Sequence, residues 1–212
     1  MPQNPAAEAD GPLVTSLAAL RAAIDACRRC PLYKNATQGV AGEGSRQARL
    51  MLVGEQPGDK EDLAGKPFVG PAGRLLDQAL ADAGVDRKQA FITNAVKHFK
   101  HEMRGKRRLH KRPNAHEVDR CRWWIERELA IVRPEMVVAM GATAARSLFL
   151  RPMTIGTNRG RALHLEDGTR AVITIHPSAL LRIEEPADKE REYRAFVADL
   201  RQAAAALRRP DA

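Results

Sequence analysis

The sequence predicts an α/β protein: a single-domain, three-layer αβα arrangement around a central, mostly parallel, four-stranded sheet. Two observations carry this. Short apolar runs alternate along the chain with amphipathic stretches of helical spacing, the pattern of strands joined by helical crossovers. The least ordinary residues stand directly after those runs, and an open parallel sheet gathers its ligand site outside the carboxyl ends of its strands.

Taken in order, "LVTSLAALRAAIDA" (14–26) has apolar residues at helical spacing and leads into "CRRC" (27–30), a helix ending at a thiol pair. "ARLMLVG" (48–54) is a continuous apolar run stopped by "GEQPGD", as expected of a buried parallel strand. "GRLLDQALADAG" (73–84) is an amphipathic helix with a glycine near its end. "AFITNAV" (90–96) is the second strand, followed by a basic loop. "NAHEVDRCRWWIERELAIV" (114–132) is a helix with Asn114 as its N-cap. "EMVVAMG" (135–141) is a third strand, "ATAARSLFL" (142–150) a short helix, and "RAVITIH" (170–176) a fourth strand running into "HPSALLR". A last amphipathic helix covers about 189–207. Residues 1–12 read as a disordered tail and 13–208 as the domain, with the basic loop inserted at about 100–113.

The chain has 212 residues, enough to bury a core, and no apolar run long enough to span a bilayer. "MPQNPAAEADGP" has neither the basic nor the apolar region of a signal peptide, so a cytoplasmic protein without membrane contact is expected, as a monomer. From Lys97 to Pro113 there are eight Lys/Arg against one Glu, so this segment holds +7 of the formal +9. Such local basicity favours a polyanionic partner, nucleic acid first. Aromatic residues are only 4%, too few for a stacking platform along a single strand, which points to one extruded base in a snug pocket.

Three cysteines do not close a disulfide framework evenly. Cys27 and Cys30 have the spacing that lets two thiolates reach one metal, Cys121 is a third, and His98, His101 and His116 are candidates for the fourth position. Spacing fits zinc as well as an iron–sulfur cluster, and three unrelated cysteines remain the plain alternative. Glu55 and Asp59 lie in "GEQPGD", where a carboxylate at a strand's end suits general-base or cation-stabilising work; a polar turn is the alternative. His176 is a site residue or a satisfied structural histidine, Phe68 a stacking ring or a core anchor, Asn94 a base reader or a turn former.

Together "GEQPGDKEDLAGKPFVGPAGRLL", "TNAVKHFK", "GKRRLH" and "HPSALL" resemble the uracil-DNA glycosylase superfamily over nearly the whole chain. His98 stands where the iron–sulfur members carry a cysteine, and the basic insertion ends in His110; both departures resemble the X-type subgroup (UdgX). The resemblance implies a uracil-DNA glycosylase-like fold and a [4Fe-4S] cluster on Cys27, Cys30, His98 and Cys121. It implies uracil-containing DNA as partner, single strands accepted, with Phe68 stacking on a flipped uracil. Asn94 and the turn carrying Gln56 and Asp59 would bond the uracil edge, and His176 would face its O2. It implies covalent capture of the deoxyribose C1′ by His110. Glu55 and His176 suit the charges that develop on the sugar and on the departing base. Lys106, Arg107 and Arg108, with Arg182 beyond "HPSALL", are expected to pair with phosphates, and the cations flanking His110 to disfavour its protonated form. A conventional, turning-over iron–sulfur uracil-DNA glycosylase and a non-enzymatic iron–sulfur nucleic-acid binder or redox sensor are the competing readings.

Overall fold

A computed structural model describes residues 14–207. The tail expected over residues 1–12, and the end of the domain expected at 208, lie outside the described residues.

The chain begins with α1 (Leu17–Asp25), whose N-terminus is capped by Ser16. It continues through β1 (Leu50–Gly54), α2 (Asp59–Ala64), α3 (Pro71–Asp82) and β2 (Ala90–Asn94). A two-stranded ribbon follows, β3 (His101–Arg104) and β4 (Arg107–His110), then α4 (Ala115–Val132), β5 (Met136–Met140) and α5 (Ala142–Phe149). The last elements are α6 (Ile155–Asn158), β6 (Leu163–His164), β7 (Arg170–Thr174), α7 (Pro177–Leu180) and α8 (Pro186–Ala206).

The central sheet has the order β2-β1-β5-β7-β6 and is parallel except for β6, which pairs antiparallel with β7. It therefore has five strands, not four. The fifth is two residues long at the sheet edge, too short to leave an alternation in the sequence. The sheet's two faces explain the apolar runs. Leu50, Leu52, Ile92, Val138 and Val172 pack against Leu76 and Leu80 of α3 and Phe196 and Leu200 of α8. Their neighbours Met51, Val53, Phe91, Val137 and Ile173 pack against Ile125 of α4 and Ala144 and Leu148 of α5. Because successive side chains of a strand point to opposite faces, burial on both faces demands unbroken apolar runs.

A third apolar cluster lies beside the sheet and joins α1 to α4 through Leu20, Ile24, Cys27, Cys30, Val118, Cys121 and Trp124. Asn114 caps α4 as expected: its Oδ1 accepts from Glu117 N at 2.9 Å, while Glu117 Oε2 accepts from Asn114 N at 2.7 Å.

The basic insertion is a β-hairpin rather than a loop. His101 pairs with His110 and Arg104 with Arg107 across the two-residue turn Gly105–Lys106, where Gly105 has φ +60°. Glycine supplies that left-handed conformation at little cost. The alternation that would reveal the ribbon is absent because neither face of it is a core face; three of the four β3 residues are exposed.

Helix α8 is pinned to β7 and α6 through one carboxylate. Asp199 Oδ2 accepts from Thr174 Oγ1 at 2.6 Å and from Arg159 Nε at 2.8 Å, and Asp199 is 8% exposed. Asp199→Ala leaves a hydroxyl and a guanidinium short of partners, and is expected to cost about 2–4 kcal/mol of stability, read as a lower urea midpoint at unchanged m-value.

Candidate active site

The carboxyl ends of β1, β2, β5 and β7 converge. Gly54, the last residue of β1, pairs with Asn94, the last of β2. A Cβ on Gly54 would lie 2.5 Å from Asn94 Oδ1 and 2.5 Å from Phe68 Cζ, so only glycine lets these groups close on the strand end. The next residue is Glu55. Its Oε2 accepts from Thr143 Oγ1 at 2.5 Å, its Oε1 lies 3.2 Å from His110 Nε2, and Arg112 Nε stands 3.8 Å away. Burial pulls the Glu55 pKa up, but the bonds from His110 and Thr143 and the nearby His176 outweigh it, and the net shift is downward. Glu55 is a carboxylate at neutral pH.

Phe68 is buried with φ +56°, a conformation uncommon for a residue with a side chain. Two contacts hold it there. Glu61 takes Gly70 N at 2.7 Å on one carboxylate oxygen and Gly58 N at 3.1 Å on the other, tying the turn before α2 to the turn after Phe68. Gly73 lets α3 come close: a Cβ there would lie 1.8 Å from Phe68 O. The Phe68 ring centroid is 5.8 Å from that of His176.

His176 has its tautomer set by its own turn. Its Nδ1 accepts from Ser178 N at 3.2 Å, and an amide is only a donor, so the proton of the neutral ring sits on Nε2. That Nε2 is buried and meets no partner among the described residues; the same holds for Asn94 Oδ1. Burial lowers the His176 pKa to about 4, with Glu55 pulling the other way and His110 and Arg182 adding to the fall. The site thus offers one unpaired N–H donor, one unpaired amide acceptor and one aromatic ring, the inventory of a pocket for a planar base with an acceptor and a donor on its edge.

The hairpin is fastened over Glu55 by residues to which the sequence assigned other work. Gln56 Nε2 donates to Lys100 O and Lys111 O at 3.1 and 3.2 Å, and its Oε1 accepts from Lys100 N at 3.1 Å. Its side-chain amide closes the base of the ribbon rather than facing a base edge. Asp59, expected at the uracil edge, is 2.6 Å from Arg108 Nε, and Arg108 Nη1 is 2.6 Å from Asp62 Oδ2. Arg108 also lies over the Phe99 ring at 5.5 Å. Its guanidinium is spent on two carboxylates, which removes it from the expected phosphate contacts. Lys106 and Arg107 stay exposed at the tip, and the Arg182 guanidinium reaches Ser178 Oγ with Nη2 at 3.4 Å. His110 Nε2 faces the Glu55 carboxylate, whose other oxygen Arg112 approaches at 3.8 Å.

Residues 41–201 match the family description "Uracil DNA glycosylase superfamily". The chain belongs to this superfamily. It is 37% identical over 161 residues to a type-4 uracil-DNA glycosylase of Thermotoga maritima, covering 75% of this chain and 80% of the relative. It is 37% identical over 165 residues to one of Archaeoglobus fulgidus, covering 74% and 79%, and 37% over 166 residues to one of Pyrobaculum aerophilum, covering 75% and 81%.

This uracil-DNA glycosylase homologue carries a second constellation beside the pocket. Cys27, Cys30, Cys121 and His98 are all buried. Cys27 Sγ accepts from Trp124 Nε1 at 3.2 Å and from Arg29 N at 3.5 Å, and Cys121 Sγ accepts from Lys97 N at 3.2 Å. Burial pushes the Cys121 thiol up to about 12 against the pull of Lys97, and raises Cys30 as well; burial lowers His98, favouring the neutral imidazole. Among the described residues no three ligating side chains close on one metal-sized centre. The donors nevertheless suit an iron–sulfur cluster, which needs thiolates that receive N–H···S bonds and spreads its ligands around several iron atoms.

The sequence did not single out Asp62, Thr143, Glu61 or Lys97. Asp62 had a signal: it stands three residues after Asp59 on one helix face. Thr143 and Glu61 act from other segments with no local mark.

The depressed His176 pKa makes a pH prediction. A histidine that titrates near 6.5 unfolded and about 4 folded binds more protons when unfolded, so its contribution is full above pH 6.5 and lost as pH falls to about 4. His176→Asn should flatten the fall in urea stability over that window by up to about 3 kcal/mol relative to wild type. Parallel pH curves for the two proteins would contradict this protonation assignment.

Proposed function

We propose that the protein cleaves the N-glycosidic bond of uracil in DNA. The observation carrying this is the pair of unpaired buried atoms, His176 Nε2–H and Asn94 Oδ1, gathered with the Phe68 ring beside the ionised Glu55. Uracil stacked on Phe68 would give its O2 to the His176 donor and its N3–H to Asn94; cytosine has an acceptor at N3 and would leave Asn94 Oδ1 unpaired. As the C1′–N1 bond breaks, its electron pair passes to uracil, where His176 stabilises charge on O2, and Glu55 faces the cationic sugar. Membership of the superfamily and the similarity to type-4 uracil-DNA glycosylases support this reading.

The comparisons favour turnover: Glu55 takes a proton from water as its oxygen bonds to C1′, and an abasic site is released. One observation favours capture instead. His110 Nε2 already occupies the place against Glu55 Oε1 that an activated water needs. In that reading the Nε2 proton passes to Glu55 while the nitrogen bonds to C1′, leaving a covalent adduct. The hairpin ending in His110, and His98 in place of a cysteine, support the X-type subgroup. We also assign a [4Fe-4S] cluster to Cys27, Cys30, His98 and Cys121; its chemistry here is structural, tying α1, the segment after β2 and α4 into one unit.

Incubation with a uracil-containing oligonucleotide, single- or double-stranded, followed by denaturing electrophoresis separates these readings. Uracil release with no shifted band means turnover. An SDS-resistant band that disappears in His110→Ser, while uracil release persists, means capture by His110. No uracil release in either strand form would overturn the glycosylase assignment. His176→Ala is expected to slow uracil release by about 10²–10³, the cost of one donor at a developing oxyanion. Replacing Lys106 and Arg107 by Ala should flatten the salt dependence of binding by about one unit per lost phosphate contact, whereas Arg108→Ala should loosen the hairpin and leave the slope nearly unchanged. Cys121→Ala should lose iron and thermal stability together, measured by iron analysis and melting.

A further inference from the structure

One buried ion pair has no place in the chemistry above. Lys97 and Glu128 are both 0% exposed, with Nζ and Oε2 2.7 Å apart. The ammonium's other two donors go to Thr93 Oγ1 at 2.7 Å and to Asn94 O at 2.8 Å, so all three are used; Glu128 Oε1 accepts from Gly42 N at 2.9 Å. A buried pair of this kind is seldom more stable than apolar side chains of the same volume, so its value lies in where it holds its partners.

The partners are telling. Asn94 is the last residue of β2, and its Oδ1 meets no partner among the described residues. No hydrogen bond among the described residues holds that oxygen, and the backbone carbonyl of Asn94 is held by Lys97. The same residue's amide donates to Cys121 Sγ at 3.2 Å, and its carbonyl accepts from Val40 N at 2.8 Å. We propose that Lys97 is a positioning residue for Asn94: its ammonium, anchored on Glu128, fixes the strand end that presents the Asn94 amide and ties that end to the Cys121 corner. This rests on the reading of the pocket as a uracil site.

The test is equilibrium binding to two oligonucleotides of one sequence, one holding an uncleavable 2′-fluoro-2′-deoxyuridine and the other a tetrahydrofuran abasic analogue. Both report DNA contacts, but only the first reports recognition of the base. Wild type should prefer the uracil analogue. Lys97→Met combined with Glu128→Leu removes both charges together; with Thr93 Oγ1, Asn94 O and Gly42 N left without these partners its melting temperature should fall, and the preference should fall by about tenfold, through weaker uracil binding alone. Thr93→Val, a smaller change that keeps the ion pair, should lower the preference by about threefold with little change in melting. Wild-type preference in the double variant, or in Thr93→Val should the double variant not fold, overturns the positioning role. Equal loss of affinity for both oligonucleotides also overturns it, marking the pair as structural only. No preference in wild type itself overturns the pocket reading, and the inference with it.

Discussion

The site depends on the parallel register of β1 with its two neighbours. Gly54 opposite Asn94 on one side, and Val53 opposite Ala139 on the other, bring the strand ends level. With the ends level, Glu55, Asn94 and the β7 exit to His176 share one rim. A slip of one residue would turn Asn94 to the other face of the sheet and move Glu55 off the rim. Because both faces are apolar, the apolar pattern alone does not set the register; the fit of the side chains in the two close-packed layers does, since a slip would exchange residues of different size between them. Gly54 is the price of that closeness, since any side chain there would strike Phe68 and Asn94.

The basic segment changes meaning once folded. In sequence it is a run of cations; in space five of the eight are paired internally, Arg112 with Glu55 among them. Lys97 meets Glu128, Lys100 meets Glu117, Arg108 meets Asp59 and Asp62, and Lys111 meets Glu102. Lys100 and Arg108 bind the hairpin to α4 and α2, and Gln56 closes its base. The charges best placed for phosphate are those at the tip, Lys106 and Arg107. Charge counted along a chain measures the field felt from afar, whereas only unpaired charge is available for contact.

The fold was largely legible because its strands are buried on both faces and leave uninterrupted apolar runs, and because Asn114 and Glu117 mark the start of α4 in the sequence itself. Other elements left no such mark: β6, with two residues, the hairpin, with no core face, and the short helices α2, α6 and α7. The candidate site was legible at the strand ends, where Glu55, Asn94 and His176 follow apolar runs directly. Its supports were not. Thr143 is 88 residues from Glu55, and Glu128 is 31 from Lys97. Arg108 carries no sign in its sequence neighbourhood that its partners lie in α2. The resemblance implied that Gln56 and Asp59 meet the base, but the hairpin claims both side chains.

The choice between water and histidine at C1′ comes down to who holds Glu55. Thr143 occupies one of its oxygens, and the other faces His110 Nε2. His110 is carried by a ribbon fastened by Gln56 at its base and by Arg108 on Asp59 and Asp62 two residues before the histidine, while its side chain is 48% exposed and that of Glu55 21%. Moving the hairpin backbone would mean loosening bonds to Asp62, a carboxylate fully removed from solvent where an unpaired charge is costly; turning the His110 ring about its own side-chain bonds would not. The fold thus holds the ribbon that carries His110, with Nε2 3.2 Å from Glu55 Oε1. The capture reading therefore rests on the His110–Glu55 contact, whereas the similarity to type-4 uracil-DNA glycosylases supports turnover.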